Sequence, residues 1–166
     1  AADLAGEGIT GVRVVGRGVD TVLFHPEKRS AVLRSSWGAE PEDLVCLYVG
    51  RMAPEKNLAL VRRSFSAIRA AQPKARMVWV GDGPSRQKLQ EEHPDHVFAG
   101  TRVGEELSQH YASADLFLFP SLSETYGNVV AEAMASGVAV LAYRSAAAAE
   151  IIVDGQTGFV VPPKAP

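Results

Sequence analysis

Hydrophobic and polar positions recur along this chain at two different wavelengths. Short runs, several of them apolar on consecutive residues, occur at Val12–Val15, Leu44–Val49, Arg76–Val80, His96–Ala99, Leu116–Phe119, Val138–Ala142 and Gly158–Val161. Their richness in Val, Leu and Phe predicts strands covered on both faces, as in a parallel sheet. Between them the apolar spacing turns helical. Leu58, Val61, Phe65 and Ile68 fall on one face of a helix that Pro73 stops. Leu107, Tyr111 and Ala114 repeat the spacing on a shorter segment. Val129, Val130, Ala133 and Met134 do so on a third, closed by Gly137, and a weaker segment from Ser85 to His93 ends before Pro94. Strand–helix–strand alternation of this kind predicts an α/β fold, a doubly wound, Rossmann-like parallel sheet with right-handed crossovers. Ligands of such sheets bind beyond the carboxyl ends of the strands. Chemistry is therefore expected in the loops that leave a strand and open a helix.

Composition narrows the function classes. A chain of 166 residues, 46% hydrophobic, fits one domain with a full core. Lys plus Arg number 17 and Asp plus Glu 19, a net charge of −2 that argues against a dedicated nucleic-acid binder. A single cysteine, Cys46, excludes an internal disulfide framework and a Cys-rich zinc site. His25, His93, His96 and His110 form no His-Glu-x-x-His pattern, so no zinc-hydrolase reading is supported. No apolar run reaches the ~18 residues of a membrane span, and residues 1–7 lack the basic-then-apolar order of a secretory leader. The expected setting is cytoplasmic.

Four strand-to-helix loops carry candidate chemistry. The first, Gly50–Asn57, follows the Leu44–Val49 strand. Gly50 permits a sharp turn, Arg51 offers a planar fork of donors, and Lys56 adds a compact charge near a helix start, where free N–H groups already favour anions. That is a plausible diphosphate site; the bland alternative is solvated surface charge, with Lys56 paired to Glu55. The second, Gly81–Pro84, opens like a dinucleotide fingerprint but holds Arg86 at the third glycine position. A tight turn before a helix explains it equally well. In the third, Gly100–Gly104, backbone groups near Arg102 and Val103 are placed to read a nucleobase edge, or form an ordinary loop. The fourth, Pro120–Asn128, leads into a helix expected near Gly127, whose first N–H groups attract phosphate. Glu124 lies before that helix. Glu132 lies inside it, sharing a face with Asn128. Carboxylates suit sugar hydroxyls because each oxygen accepts hydrogen bonds. Positive charge, a helix start and two carboxylates together match the parts of a nucleotide sugar.

Eight motifs in order carry a resemblance. They are Gly16–Asp20 with Phe24–Pro26; Val49–Arg51 with Glu55–Asn57; Val80–Pro84; Phe98–Gly100; Ala114–Asp115 with Phe119–Ser121; Glu124–Gly127; Glu132–Gly137; and Gly155 with Thr157–Phe159. From about Val12 to Pro163 the chain resembles the C-terminal, donor-binding domain of retaining GT-B glycosyltransferases of family four. The resemblance implies that Arg51 and Lys56 hold the donor diphosphate and steady the departing nucleotide. It implies that Glu124 contacts the donor sugar, that amides around Tyr126, Gly127 and Asn128 cap the sugar and distal phosphate, and that Glu132 binds the ribose hydroxyls. Gly50, Gly81 and Thr125 join the donor-contacting positions, and the backbone at Arg102 and Val103 faces the base. Glu124 and Glu132 resemble the family's pair of glutamates eight residues apart.

The sequence also departs from that pattern. Tyr126 stands where the family often has Phe, Arg17 where it commonly has Asn, and Ala146–Ala149 where many members carry a glycine pair before a glutamate. The alanine-rich form resembles a bacterial subgroup of mannosyl- and glucosyltransferases acting on lipids and polysaccharides. The resemblance further implies transfer of a sugar from a UDP- or GDP-linked donor to a hydroxyl, with retention and without an obligatory metal or other cofactor. The acceptor site would sit on a separate N-terminal domain. Residues 1–11 then read as the remnant of an interdomain linker and residues 12–166 as the nucleotide-sugar domain, inactive as a transferase alone. The expected partners are the nucleotide sugar, the N-terminal domain and a sugar or lipid acceptor, not nucleic acid; any peripheral membrane contact would run through the N-terminal domain. A GT-B epimerase or phosphorylase half, or a non-catalytic nucleotide-binding module, are the rival readings.

Overall fold

Six of the apolar runs form the strands β1 (Val45–Val49), β2 (Arg76–Val80), β3 (Val97–Gly100), β4 (Leu116–Phe119), β5 (Ala139–Tyr143) and β6 (Gly158–Val161). The computed structural model describes residues 18–121, 128–144 and 146–162, and the expected strand Val12–Val15 lies outside them. Every neighbouring pair is parallel, and the order across the sheet is β3-β2-β1-β4-β5-β6. This is the doubly wound order in which the connection reverses between β1 and β4, opening a crevice at their carboxyl ends.

The predicted helices appear as α2 (Leu58–Ala71), α3 (Arg86–Glu92), α4 (Gly104–Ala112) and α5 (Asn128–Ala135). Two further short helices were not expected. In α1 (Ala31–Ser36) the Ser30 hydroxyl caps the first turn by accepting the Leu33 N–H at 3.2 Å. The alanine run, read above only as a substitute for a glycine turn, forms α6 (Ala146–Ile151); alanine has the highest helix propensity. Three strands differ by one residue from expectation, β1 beginning at Val45 rather than Leu44. The β3 strand runs on to Gly100 because the Gly100 carbonyl accepts the Gly81 N–H at 2.8 Å, and β5 extends to Tyr143, which pairs with Val161.

Strand side chains divide between two cores. Val45, Leu47, Val49, Phe117, Phe119, Val140 and Ala142 join one cluster with Tyr111, Val130 and Ala133 from the helices. Cys46, Tyr48, Met77, Trp79 and Leu118 join the other, beneath Leu58, Val61 and Phe65 of α2 and Leu89 of α3. Both faces of β1 are thus buried, which is why its sequence reads as an unbroken apolar run.

The amino edge of the sheet is fastened by charge. One Asp115 oxygen accepts the Val45 N–H at 2.8 Å and the buried Arg34 guanidinium at 3.0 Å; the other accepts Arg29 at 2.8 Å. Arg34 also donates to the carbonyls of Ser113 and Asp43, at 2.9 and 2.6 Å. The Ala114–Asp115 motif therefore joins β1, β4 and α1 at the end of the sheet away from the candidate site.

Candidate functional site

Because all six strands run the same way, the loops after β1, β2, β3 and β4 share the carboxyl edge. Here the joints are backbone on backbone. The Gly50 N–H donates to Val80 at 3.0 Å, Gly81 to Gly100 at 2.8 Å, and Met52 to Asp82 at 2.8 Å. Gly81 has a φ of +124°, and a Cβ there would lie 2.1 Å from the Gly50 carbonyl oxygen. A Cβ on Gly83 would come within 2.5 Å of the Met52 oxygen. These glycines let neighbouring chain segments meet more closely than any side chain permits.

The first loop leaves β1 through Gly50. The Tyr48 hydroxyl donates to the Arg51 carbonyl at 3.0 Å, which fixes the backbone under that residue. The Arg51 side chain is 67% exposed, with Glu55 3.5 Å from its guanidinium, so Glu55 leans on Arg51. Pro54–Lys56 form a single 3-10 turn, and Asn57 enters α2 in the left-handed region with φ 53°. The Asn57 amide reaches the Pro120 carbonyl at 3.5 Å. That contact ties the loop after β1 to the loop after β4, across the reversal in strand order.

The second loop is a turn with its own internal closure. The Asp82 carboxylate accepts the Gly83 N–H at 2.7 Å and the Arg86 guanidinium at 3.1 Å. The Gly83 N–H first, and Arg86 after it, hold this carboxyl below the usual range. Arg86, at the third position of the incomplete glycine fingerprint, thus engages the turn itself. In the third loop the Arg102 side chain donates to the Ala99 carbonyl at 3.0 Å and to Glu106 at 3.1 Å. Its charge is committed to its own strand end and the first turn of α4. Val103 is left exposed at the rim in extended backbone.

The fourth loop is described at its two ends. Pro120 and the buried Ser121 follow β4, and Asn128 opens α5. Glu124, Thr125, Tyr126 and Gly127 lie outside the described residues, as does the pairing of Glu124 with Glu132. Glu132 stands four residues after the exposed Asn128 on α5 and is half-buried. The Tyr111 hydroxyl of α4 donates to its Oε2 at 3.1 Å. Burial pushes the Glu132 carboxyl above the ordinary range, and the Tyr111 bond pulls it the other way.

Gly50, Arg51, Lys56, Gly81, Arg102, Val103, Asn128 and Glu132 therefore lie on elements that meet at or lead from one edge of the sheet. The sequence reading missed two contributors. Asn57 bridges the two central loops, and Tyr111, taken only as an apolar helix position, holds Glu132. The signal for Tyr111 was its hydroxyl, since a buried tyrosine O–H usually finds a partner. Among the described residues no group of three or more His, Cys, Asp or Glu is arranged to hold a metal ion. No described helix is long and apolar enough to cross a membrane.

A family model described as glycosyl transferases group 1 matches residues 43–166. A sulfoquinovosyl transferase of Arabidopsis thaliana is 40% identical over 170 residues, covering 97% of this chain and 32% of that protein. A GDP-mannose-dependent alpha-mannosyltransferase of Corynebacterium glutamicum is 38% identical over 159 residues, covering 96% of this chain and 37% of that protein. The chain thus spans about a third of the length of these relatives. Among solved structures, Anabaena HepE in complex with UDP and glucose superposes with a TM-score of 0.73 at 25% identity, over 91% of this chain and 43% of that one.

Proposed function

Because the chain belongs to the glycosyl transferases group 1 family, we propose that it is the donor-binding half of a glycosyltransferase. The reaction moves a sugar from a nucleotide diphosphate donor to a hydroxyl, with retention, in the synthesis of a lipid-linked or polysaccharide glycan. The observation that carries this reading is the meeting of two loops at the reversal between β1 and β4. One bears Arg51 and Lys56, the other leads into the helix of Glu132, and Asn57 joins them through Pro120.

The chemistry follows from charge. As the sugar departs, negative charge grows on the diphosphate, and preorganised cations beside it lower the barrier. Arg51 provides a forked donor and Lys56 a point charge. The opening N–H groups of the helix beginning at Asn128 add the positive end of its dipole. Glu124 contacts the donor sugar, with Thr125, Tyr126, Gly127 and Asn128 capping sugar and distal phosphate. Glu132 accepts the ribose hydroxyls. Gly50 and Gly81 allow close approach of the donor, and the backbone at Arg102 and Val103 borders the base. A separate N-terminal domain supplies the acceptor site and any contact with a membrane surface, so this chain alone binds donor without turning it over in the cytoplasm.

Relatives named for GDP-mannose and a structural neighbour holding UDP set the composition of the test. Thermal-shift and calorimetric titration with UDP, GDP, ADP and their sugar conjugates should show one uridine or guanosine series stabilising the protein. Absence of binding by every nucleotide to the folded protein would overturn the proposal. In the full-length enzyme, Lys56→Ala should lower kcat at least tenfold, about 1.4 kcal/mol in the barrier, with a smaller change in donor affinity. An unchanged kcat would remove Lys56 from the chemical step.

A further inference from the structure

We propose that Tyr111 is a positioning residue for Glu132, holding its carboxylate in the orientation that distinguishes a ribonucleotide from a 2′-deoxyribonucleotide. This inference rests on the donor-binding role proposed for Glu132 and extends it to a residue outside the loops.

The argument starts from what a half-buried carboxylate needs. Removal from water disfavours its charged form, and a free side chain with three rotatable bonds would sample several rotamers. A ribose diol is recognised well only by acceptors fixed in place, since each hydroxyl bond depends on direction. Tyr111 answers both needs. Its hydroxyl lies 3.1 Å from Glu132 Oε2 and donates to it. One oxygen is thereby fixed and its charge partly compensated, while the remaining acceptor positions of the carboxylate stay available to a ligand.

The hydroxyl can act as a fixed point because its ring is buried and packed against two other aromatic rings. Tyr111 is fully buried, at 0% exposure. Phe24 meets its ring edge-to-face at 5.8 Å and 77°, and Phe117 at 5.7 Å and 70°. Phe117 in turn stacks on Phe119 at 5.6 Å and 16°. Phe119 is the last residue of β4, at the carboxyl edge where the central loops meet. An aromatic chain thus runs from the sheet to the hydroxyl, and the hydroxyl passes that rigidity to Glu132 on the neighbouring helix. A buried tyrosine needs a partner for its hydroxyl in any case; here that partner is the carboxylate of Glu132.

The test uses Tyr111→Phe, which removes the oxygen and keeps the ring. Two readouts separate this inference from the function it rests on. The first needs no ligand: carbon-13 NMR of labelled glutamate, with the Glu132 signal assigned by its loss in Glu132→Gln. The Glu132 titration midpoint should rise in Tyr111→Phe. It should fall when fluorotyrosine, a stronger donor, replaces tyrosine, a perturbation that preserves the fold even if Tyr111→Phe does not. The second compares UDP with dUDP and GDP with dGDP. The wild-type protein should prefer the ribose form. Tyr111→Phe should lose about tenfold in ribonucleotide affinity, in keeping with a hydrogen bond to a charged group, and much of the ribose preference. In Glu132→Gln the same change should have little further effect. An unmoved Glu132 midpoint in both tyrosine perturbations overturns the inference, as does an unchanged ribose preference in folded Tyr111→Phe. If no nucleotide binds the wild-type protein, the donor-binding reading fails, and the positioning of a ribose acceptor fails with it; a shifted midpoint would then establish the Tyr111–Glu132 bond alone.

Discussion

Two residues show how single atoms decide behaviour here. At Gly81 a methyl group would sit 2.1 Å from the Gly50 oxygen, on a backbone with φ +124°. Either the ends of β1 and β2 separate or the backbone strains, so Gly81→Ala should lose about 3 kcal/mol of stability. A denaturant midpoint measures that loss, and the displacement of Gly50 should weaken nucleotide binding in whatever protein still folds. His96 decides a pH response. Its Nδ1 accepts the Trp79 indole N–H at 3.2 Å, and Phe65 packs edge-to-face on the ring at 5.1 Å. Burial lowers its pKa to about 4, with His93, Arg69 and Arg62 acting in the same direction and Asp95 opposing. The unfolded imidazole takes its proton near 6.5, the folded one only near 4. The stability contributed by neutral His96 is therefore complete above pH 6.5, declines as pH falls towards 4, and levels off below. The decline is smaller than the full shift in pKa would give, because the ring is only partly buried and solvent screens its charge. Denaturation midpoints measured across that window should slope in the wild-type protein and flatten in His96→Asn.

At the scale of elements, the β1–β4–α1 junction depends on Asp115. Asp115→Ala leaves the guanidinium of Arg34, a 3% exposed residue, without its carboxylate. A broken buried pair of this kind loses roughly 3 kcal/mol or more. Asp115→Asn keeps an acceptor for the Val45 N–H and should lose less. Because this junction is at the far edge of the sheet, nucleotide affinity per folded molecule should remain unchanged in both, which calorimetry on native protein checks. The junction also marks where the sequence was legible. Strands β1, β2 and β4 could be read within a residue because two-sided burial forces consecutive apolar residues. Helices α2 and α5 could be read because one buried stripe gives them a clear period. Helix α1 was missed because a six-residue helix shows too few turns for a period, and α6 because an alanine run has no apolar contrast. At the candidate site, loop position and residue type were enough to put Gly50, Arg51, Lys56 and Glu132 on elements that meet at or lead from the carboxyl edge, where the structure has them. The contacts of Tyr111 and Asn57 could not be read, since each acts through a partner far away in the chain, 21 residues for Tyr111 and 63 for Asn57.

For the whole molecule, the central strand supplies a reporter. Cys46 is the one cysteine of the sequence and is fully buried in β1. Burial first, and the nearby Asp115 charge second, push its thiol up to about 12. Alkylation in native buffer should therefore proceed only through opening of the sheet. Where reclosing outpaces labelling, a nucleotide at about 100 times its Kd should slow the reaction roughly 100-fold. Labelling that is fast in native buffer would mean that β1 opens locally. The sheet also divides the routes by which this chain can change. Its amino rim is joined by paired charges, so a variant there survives by changing both partners together. Its carboxyl rim from β1 to β3 is joined by bare main chain, for which the genetic code offers no alternative to glycine at the tightest crossings. On the donor-binding reading proposed above, new donor preferences arise in the outer reaches of the loops, while the ledge beneath them stays the same.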